Sequence, residues 1–179
     1  MKRLTRAVMV GTVALLVAGT PGSARAQFGG YVQLGPGLAI PVGDYKDAGA
    51  NTGWLAQVAG AITHGMMAGR ISGTFMRNGF EGTDEHFRIL GAMADFLLSP
   101  STSGKAAPYI LGGIGFQNGK SSLAGVEGDT KFAWNAGGGV GVRVGGIGLF
   151  VEARFLSIRT SGASTNLIPI SAGILLGGH

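Results

Sequence analysis

Five charged residues stand within otherwise apolar or Gly-rich stretches: Arg70, Arg88, Arg143, Glu152 and Arg154. A carboxylate among guanidinium groups supports two chemistries. Bidentate Arg to carboxylate pairs are among the strongest hydrogen-bonded ion pairs open to side chains, and an excess of Arg attracts anions. Glu152 and Arg154 are two residues apart, a spacing that shares one face of a strand and not of a helix. A second set, Asp44, Asp47, Glu81, Asp84, Glu85, Glu127 and Asp129, holds seven of the nine acids in three polar stretches. Carboxylates of this kind suit divalent cations or a basic partner, and as solvated surface charge they require neither.

Other chemistries find no residues to carry them. The chain has no Cys, which removes disulfides, thiolate metal sites and cysteine nucleophiles. His64, His86 and His179 lack a metal-ligand partner at helical or turn spacing. The Gly-rich run from 137 to 148 matches neither dinucleotide nor phosphate-loop spacing, and no Gly-x-Ser-x-Gly elbow occurs. The sequence therefore predicts no enzyme, no cofactor and no metal site. Its glycines read as structural, leaving space for long side chains across a narrow interior.

The elements that must position these residues follow from composition and period. A length of 179 residues fits one domain and an appendage. Gly at 35 residues and charge at 13% depart from an ordinary soluble composition. Lys2, Arg3 and Arg6 precede an apolar run to Ala18, and Ala24-Arg25-Ala26 offers a cleavage site, so residues 1–26 read as a secretory signal peptide. The run of about 12 apolar residues is too short for a membrane helix. Without that segment, which holds four bases and no acid, ten basic and nine acidic residues remain, and the formal charge falls from +5 to +1. The basic excess that would suggest nucleic acid is thereby lost, and residues 27–179 form the mature domain.

No later stretch reaches 18 apolar residues, but period two recurs in eight segments of roughly ten residues. These are Phe28 to Ile40, Gly53 to Thr63, Met66 to Arg77, His86 to Leu98, Pro108 to Gln117, Lys131 to Val144, Ile147 to Arg159 and Leu167 to Leu176. Each is long enough to cross a membrane as a tilted strand. Long polar connections follow the first, third, fifth and seventh segments (the last from Thr160 to Asn166), with short turns at His64-Gly65 and Gly145-Gly146. The stretch from Ser99 to Ala107 is longer than this scheme predicts. Long loops at one end and short turns at the other describe an all-β, up-and-down antiparallel transmembrane barrel of eight strands.

Parity places Gln57, Arg70, Ser72, Thr74, Asn135, Arg143, Glu152 and Arg154 inside, with Trp54, Val58, Ile71, Phe75, Trp134, Val151 and Phe155 outside. Arg88 and Asp95 conflict. Either a bulge shifts the register or Asp95 lies at the turn-side rim with Arg88 in the lumen; the rim is the expectation, because a lipid-facing charge at the midplane costs several kcal/mol. The lumen then holds four cations and one anion, read as a hydrogen-bonded filling, with a narrow anion pore as the rival. Trp54, Phe75, Phe87, Phe132, Trp134 and Phe155 form one expected aromatic girdle, and Phe28, Tyr31, Phe96 and Tyr109 the other.

With these residues in view, the chain resembles the outer-membrane β-barrel domain family, the small eight-stranded type that includes outer-membrane protein X and the outer-membrane protein A barrel. The resemblance is carried by Tyr31 to Tyr45, Pro108 to Gly115, Asn135 to Arg143, Glu152-Ala153-Arg154 and Ile168 to Ile174. One departure is the ending Leu175-Leu176-Gly177-Gly178-His179, where such barrels carry a closing aromatic, a difference that bears on insertion more than on fold. The resemblance implies a porin-like cell-envelope protein in the outer membrane of a Gram-negative-type bacterium, working as a monomer. Its implied partners are outer-membrane lipid and lipopolysaccharide, the barrel-assembly machinery during insertion, and an extracellular partner at the loops. The expected role is structural or surface interaction. The alternatives are a narrow pore for small solutes or ions and a soluble periplasmic lipid-binding barrel.

Overall fold

A computed structural model describes residues 28–83, 85–100, 106–121, 128–144, 147–160 and 163–177. The stretch read as a signal peptide lies outside them, as do Asp84 and Glu127. Eight strands follow one another: β1 (Phe28–Val42), β2 (Gly53–His64), β3 (Met67–Gly79), β4 (His86–Leu98), β5 (Ala106–Ser121), β6 (Asp129–Val144), β7 (Ile147–Thr160) and β8 (Ala163–Gly177). Every strand pairs antiparallel with its neighbour in sequence, and β8 returns to β1, closing the barrel. Closure leaves no sheet edge, so every strand has two neighbours to receive its backbone groups.

Alternation sets the two faces. In β2, Leu55, Gln57, Ala59 and Ala61 are buried while Trp54, Ala56, Val58 and Ile62 are exposed. Around the outside, large apolar side chains are bare: Ile62 is 66% exposed, Ile110 63% and Phe116 61%. A continuous apolar exterior on this scale marks a surface meant for contact with lipid or protein.

The seam between β1 and β8 closes tightly at glycine. A Cβ added to Gly173 would lie 2.6 Å from the Cα of Gly35, and one added to Gly35 would lie 2.9 Å from the ring of Phe150. These two positions have no room for a side chain.

Several features differ from the sequence expectation. Strands β7 and β8 run through the stretch expected as a long loop, with Arg159 opposite Ser164 and Ser157 opposite Asn166, leaving only residues 161–162 between them. Ser and Thr pair well in a ladder, so polarity alone did not mark a loop. Strands β5 and β6 likewise extend toward each other, with Gly119 opposite Asp129. The first connection contains a short helix, α1 (Asp44–Asp47), that folds toward the barrel mouth. Its Tyr45 packs edge-on against Phe80 and Phe87 at centroid distances of 6.3 and 6.2 Å. Backbone bonds from Asn51 to Gly79 and from Glu81 to Gly49, both 2.9 Å, join this connection to the one between β3 and β4. Asn78 donates from Nδ2 to the carbonyls of Ala39 and Asn51, each at 2.8 Å, locking the same corner.

Beneath that cap the interior is largely apolar, with Gln117 buried opposite Gly91. Leu55, Met76, Ile89, Met93, Leu156, Ile158 and Leu167 form one buried cluster against which Tyr45 and Phe87 pack. Phe87 therefore faces inward, not into the girdle. The outer aromatic contacts at the loop end are Trp54 with Phe75, Trp134 with Phe155 and Phe116 with Phe132. At the turn end Phe96 is exposed, Tyr31 and Tyr109 share the interior parity of Gln33 and Leu111, and the side chain of Phe28 lies outside the described part.

Candidate functional site

Midway down the barrel the lining turns polar, and the charged residues meet there. Arg70 on β3 is paired in register with Asp95 on β4. Its Nε and Nη2 donate to Asp95 Oδ2 at 3.0 and 2.9 Å. The same guanidinium donates to Glu152 on β7, from Nη1 to Oε2 at 2.6 Å and from Nη2 to Oε1 at 3.2 Å, and from Nη1 to Gln33 Oε1 on β1 at 3.1 Å. Arg70, Asp95 and Glu152 are 2%, 5% and 1% exposed.

The carboxylates have further donors. Asn135 on β6 donates to Asp95 Oδ1 at 2.8 Å, Ser72 to Asp95 Oδ2 at 3.3 Å, and the Tyr109 hydroxyl on β5 to Glu152 Oε2 at 2.9 Å. Tyr109 reaches in because Gly139 opposite it has no side chain: a Cβ there would lie 2.6 Å from the Tyr109 oxygen. Arg154 completes the layer. It donates to Gln57 Oε1 on β2 and sits at ion-pair distance from Glu152, 3.8 Å, and Asp95, 4.0 Å. The network spans β1 to β7 without a break, so it ties opposite walls of the barrel together.

The charge count differs from the sequence expectation of four cations to one anion. Two guanidinium groups face two carboxylates. Arg88 is not in the lumen: β4 pairs continuously with β3 from Gly79 opposite His86 to Met67 opposite Leu98, without a bulge. Ile89, Gly91, Met93, Asp95 and Leu97 point inward, and Arg88 faces out near the loop end. The reason is height. A long guanidinium side chain near a strand end reaches the polar interface, whereas Asp95 at mid-barrel is too short to escape lipid and must turn in. Arg143 keeps the interior parity but lies exposed at the turn end of β6, opposite Gly148 and away from the network. Asp95, Gln33, Asn135 and Tyr109 belong to the network and were not assigned to it from sequence. The pairing of Arg70 with Asp95 depends on Met67 lying opposite Leu98, one residue away from the register that the expected bounds at Met66 and Leu98 would give.

Among the described residues, the acids of the three long connections are not grouped. Asp44 and Asp47 lie on α1, Glu81 is exposed, and Glu85 is half-buried beside His86. Asp129 forms an ion pair with Lys131 at 2.5 Å. Among the described residues no three His, Cys, Asp or Glu side chains are grouped to hold a metal ion.

Buried on all sides and matched in charge, the Arg70 layer is built to join walls. Above it lies the apolar cluster and above that the α1 cap, so along the axis side chains fill the space in three successive layers.

No family model and no curated protein matches the chain. Solved structures do. Neisserial surface protein A is 16% identical, with a TM-score of 0.67 over 84% of this chain and 97% of that one. The attachment invasion locus protein Ail of Yersinia pestis is 16% identical, with a TM-score of 0.55 over 84% of this chain and all of that one. The same protein in complex with the heparin analogue sucrose octasulfate gives 14% identity and a TM-score of 0.54. At this identity the likeness is one of fold: the chain has the closed eight-stranded barrel of these small outer-membrane proteins.

Proposed function

We propose that the protein is an integral outer-membrane barrel with a structural and surface-interaction role, in which the strands anchor the chain and the loop end is presented to the exterior. The observation that carries this reading is the pairing of a bare apolar exterior with an interior closed by ion pairs and side chains. A soluble barrel has the opposite requirement, a polar outside and a dry or ligand-filled inside. The fold shared with Neisserial surface protein A and Ail supports the same assignment. Ail was solved with a heparin analogue, which supports an extracellular ligand at the loop end as the kind of partner to seek. The role needs no catalytic residue and no cofactor.

The balanced lumen argues against the pore. Four cations would select anions, whereas two ion pairs leave no net charge to attract a permeant ion. Reconstitution in planar bilayers tests this directly: the wild-type protein is expected to give no unitary conductance. Stable, ion-selective openings abolished by Glu152→Gln would replace this role with transport. Release of the mature chain by osmotic shock without detergent would replace it with a periplasmic carrier.

A further inference from the structure

Among the described residues two methionines are exposed, and they are neighbours at the turn from β2 to β3: Met66 is 55% and Met67 47% exposed, whereas Met76 and Met93 are buried inside the barrel. His64, also exposed, flanks the same turn. It is directly paired with Met67 at the end of the ladder, with Gly65 and Met66 as the two turn residues. Gly65 has φ 59°, the left-handed conformation that a tight two-residue hairpin takes at its first central position. Directly opposed residues hold their Cβ atoms about 4.5 to 5.5 Å apart on one face. The long, unbranched side chain of Met67 can then bring its sulfur beside the imidazole. The Met66 carbonyl accepts from Ser99 N at 2.8 Å, so the turn is tied to the chain leaving β4.

Contact with acyl chains does not account for this placement. On β3, Gly69 is opposite Phe96, the exposed ring at the turn end, and Met67 lies two residues nearer the turn, opposite Leu98. Aromatic rings of a membrane barrel sit at head-group level, so His64, Met66 and Met67 stand at or beyond that level, where water reaches them. What the three side chains share is ligand chemistry. No Asp, Glu or Cys occurs between Gly60 and Arg70, so zinc-type and hard-cation ligation has no donors there. The expectation of no metal site counted those donors and not thioethers. Thioether sulfurs belong to another class: they select Cu(I), which imidazole also suits. An imidazole has two ring nitrogens, and a metal-bound one commonly engages a hydrogen-bond partner through the other, so a further partner of His64 is compatible with ligation.

We propose that His64, Met66 and Met67 form a site of one nitrogen and two sulfurs for a soft monovalent metal ion, Cu(I). With the loop end outside, this turn faces the periplasm. That placement rests on the membrane reading above, and the ligand set does not.

The test uses the full chain with methyl-labelled Met, refolded in uncharged detergent. It is titrated with Ag(I), a soft closed-shell ion that keeps its oxidation state, with Cu(I) under reducing, oxygen-free conditions, and with Zn(II). Ag(I) and Cu(I) are expected to move the methyl resonances of Met66 and Met67 and the ring resonances of His64, and to leave those of Met76 and Met93 in place. Zn(II) is expected to move none of the methyls. The double variant Met66→Leu, Met67→Leu is expected to weaken Ag(I) binding at least about tenfold, as is His64→Gln, and Met76→Leu is expected to leave it unchanged. Methyls that do not respond to Ag(I) or Cu(I), an equal response to Zn(II), or an affinity that survives the double variant or His64→Gln would each overturn the proposal. Heat-dependent electrophoretic mobility monitors the fold of every variant, and Met66→Leu alone carries the test if the double variant loses it. A wild type with no heat shift overturns the membrane reading and the periplasmic placement with it. A heat-shifted wild type without a Met response overturns this site alone.

Discussion

Arg70 hydrogen-bonds to both buried carboxylates, whereas Arg154 meets them only at ion-pair distance. Removing one partner of a buried pair leaves an uncompensated charge and costs about 3 to 5 kcal/mol. Arg70→Met is therefore expected to lose about that much, and Arg154→Met distinctly less, in urea unfolding from lipid vesicles; the reverse order would show that Arg154 holds the layer. The Tyr45 hydroxyl is buried under the α1 cap without a hydrogen-bond partner, and burial pushes its pKa from the usual 10.0 to about 12. Because the folded value is the higher one, the Tyr45 contribution is complete below about pH 10 and is lost as pH rises through about 12. The difference between wild-type and Tyr45→Phe tyrosinate absorbance should show that late titration, and Tyr45→Phe should unfold no more easily than wild type, since it removes an unpaired polar atom. At this scale Arg70, Glu152 and Arg154 were legible from parity alone. Arg88 and Asp95 were not, because parity gives the face of a residue and not its height in the membrane.

Strand β4 alternates without fault along its length, and the apparent conflict between Arg88 and Asp95 dissolves once each end of the strand is given its own solvent. The alternation that located all eight strands came from side chains buried on one face and bare on the other, which is why it survived a Gly-rich sequence. Strand ends were less legible, as Thr160 to Asn166 shows: polar residues that continue a ladder look like a loop when no apolar partner marks the pattern. The α1 cap was missed because its signal is a single aromatic, Tyr45, in a polar stretch. The β1 to β8 seam depends on backbone approach at Gly35 and Gly173. Gly173→Val is expected to destabilise the barrel by about 1 to 3 kcal/mol or more through overpacking, read as a lower urea midpoint in vesicles; a variant that refolds as well as wild type would show that the seam has slack.

Viewed as one body, the barrel is turned inside out relative to a soluble domain, with charge at the centre and apolar side chains outside. That inversion was visible in the sequence as strands whose polar residues share one parity, and it is completed by the neutral charge balance of the lumen that only the register revealed. The layered filling predicts a barrel that resists unfolding and carries no current. Its central claim, that the exterior faces lipid, is tested most directly by fractionating cells that express the full chain and running the membrane fraction by electrophoresis with and without boiling. A detergent-extracted band whose mobility changes on heating is the predicted result. A soluble band of unchanged mobility would contradict the account and require the exposed apolar face to have another partner.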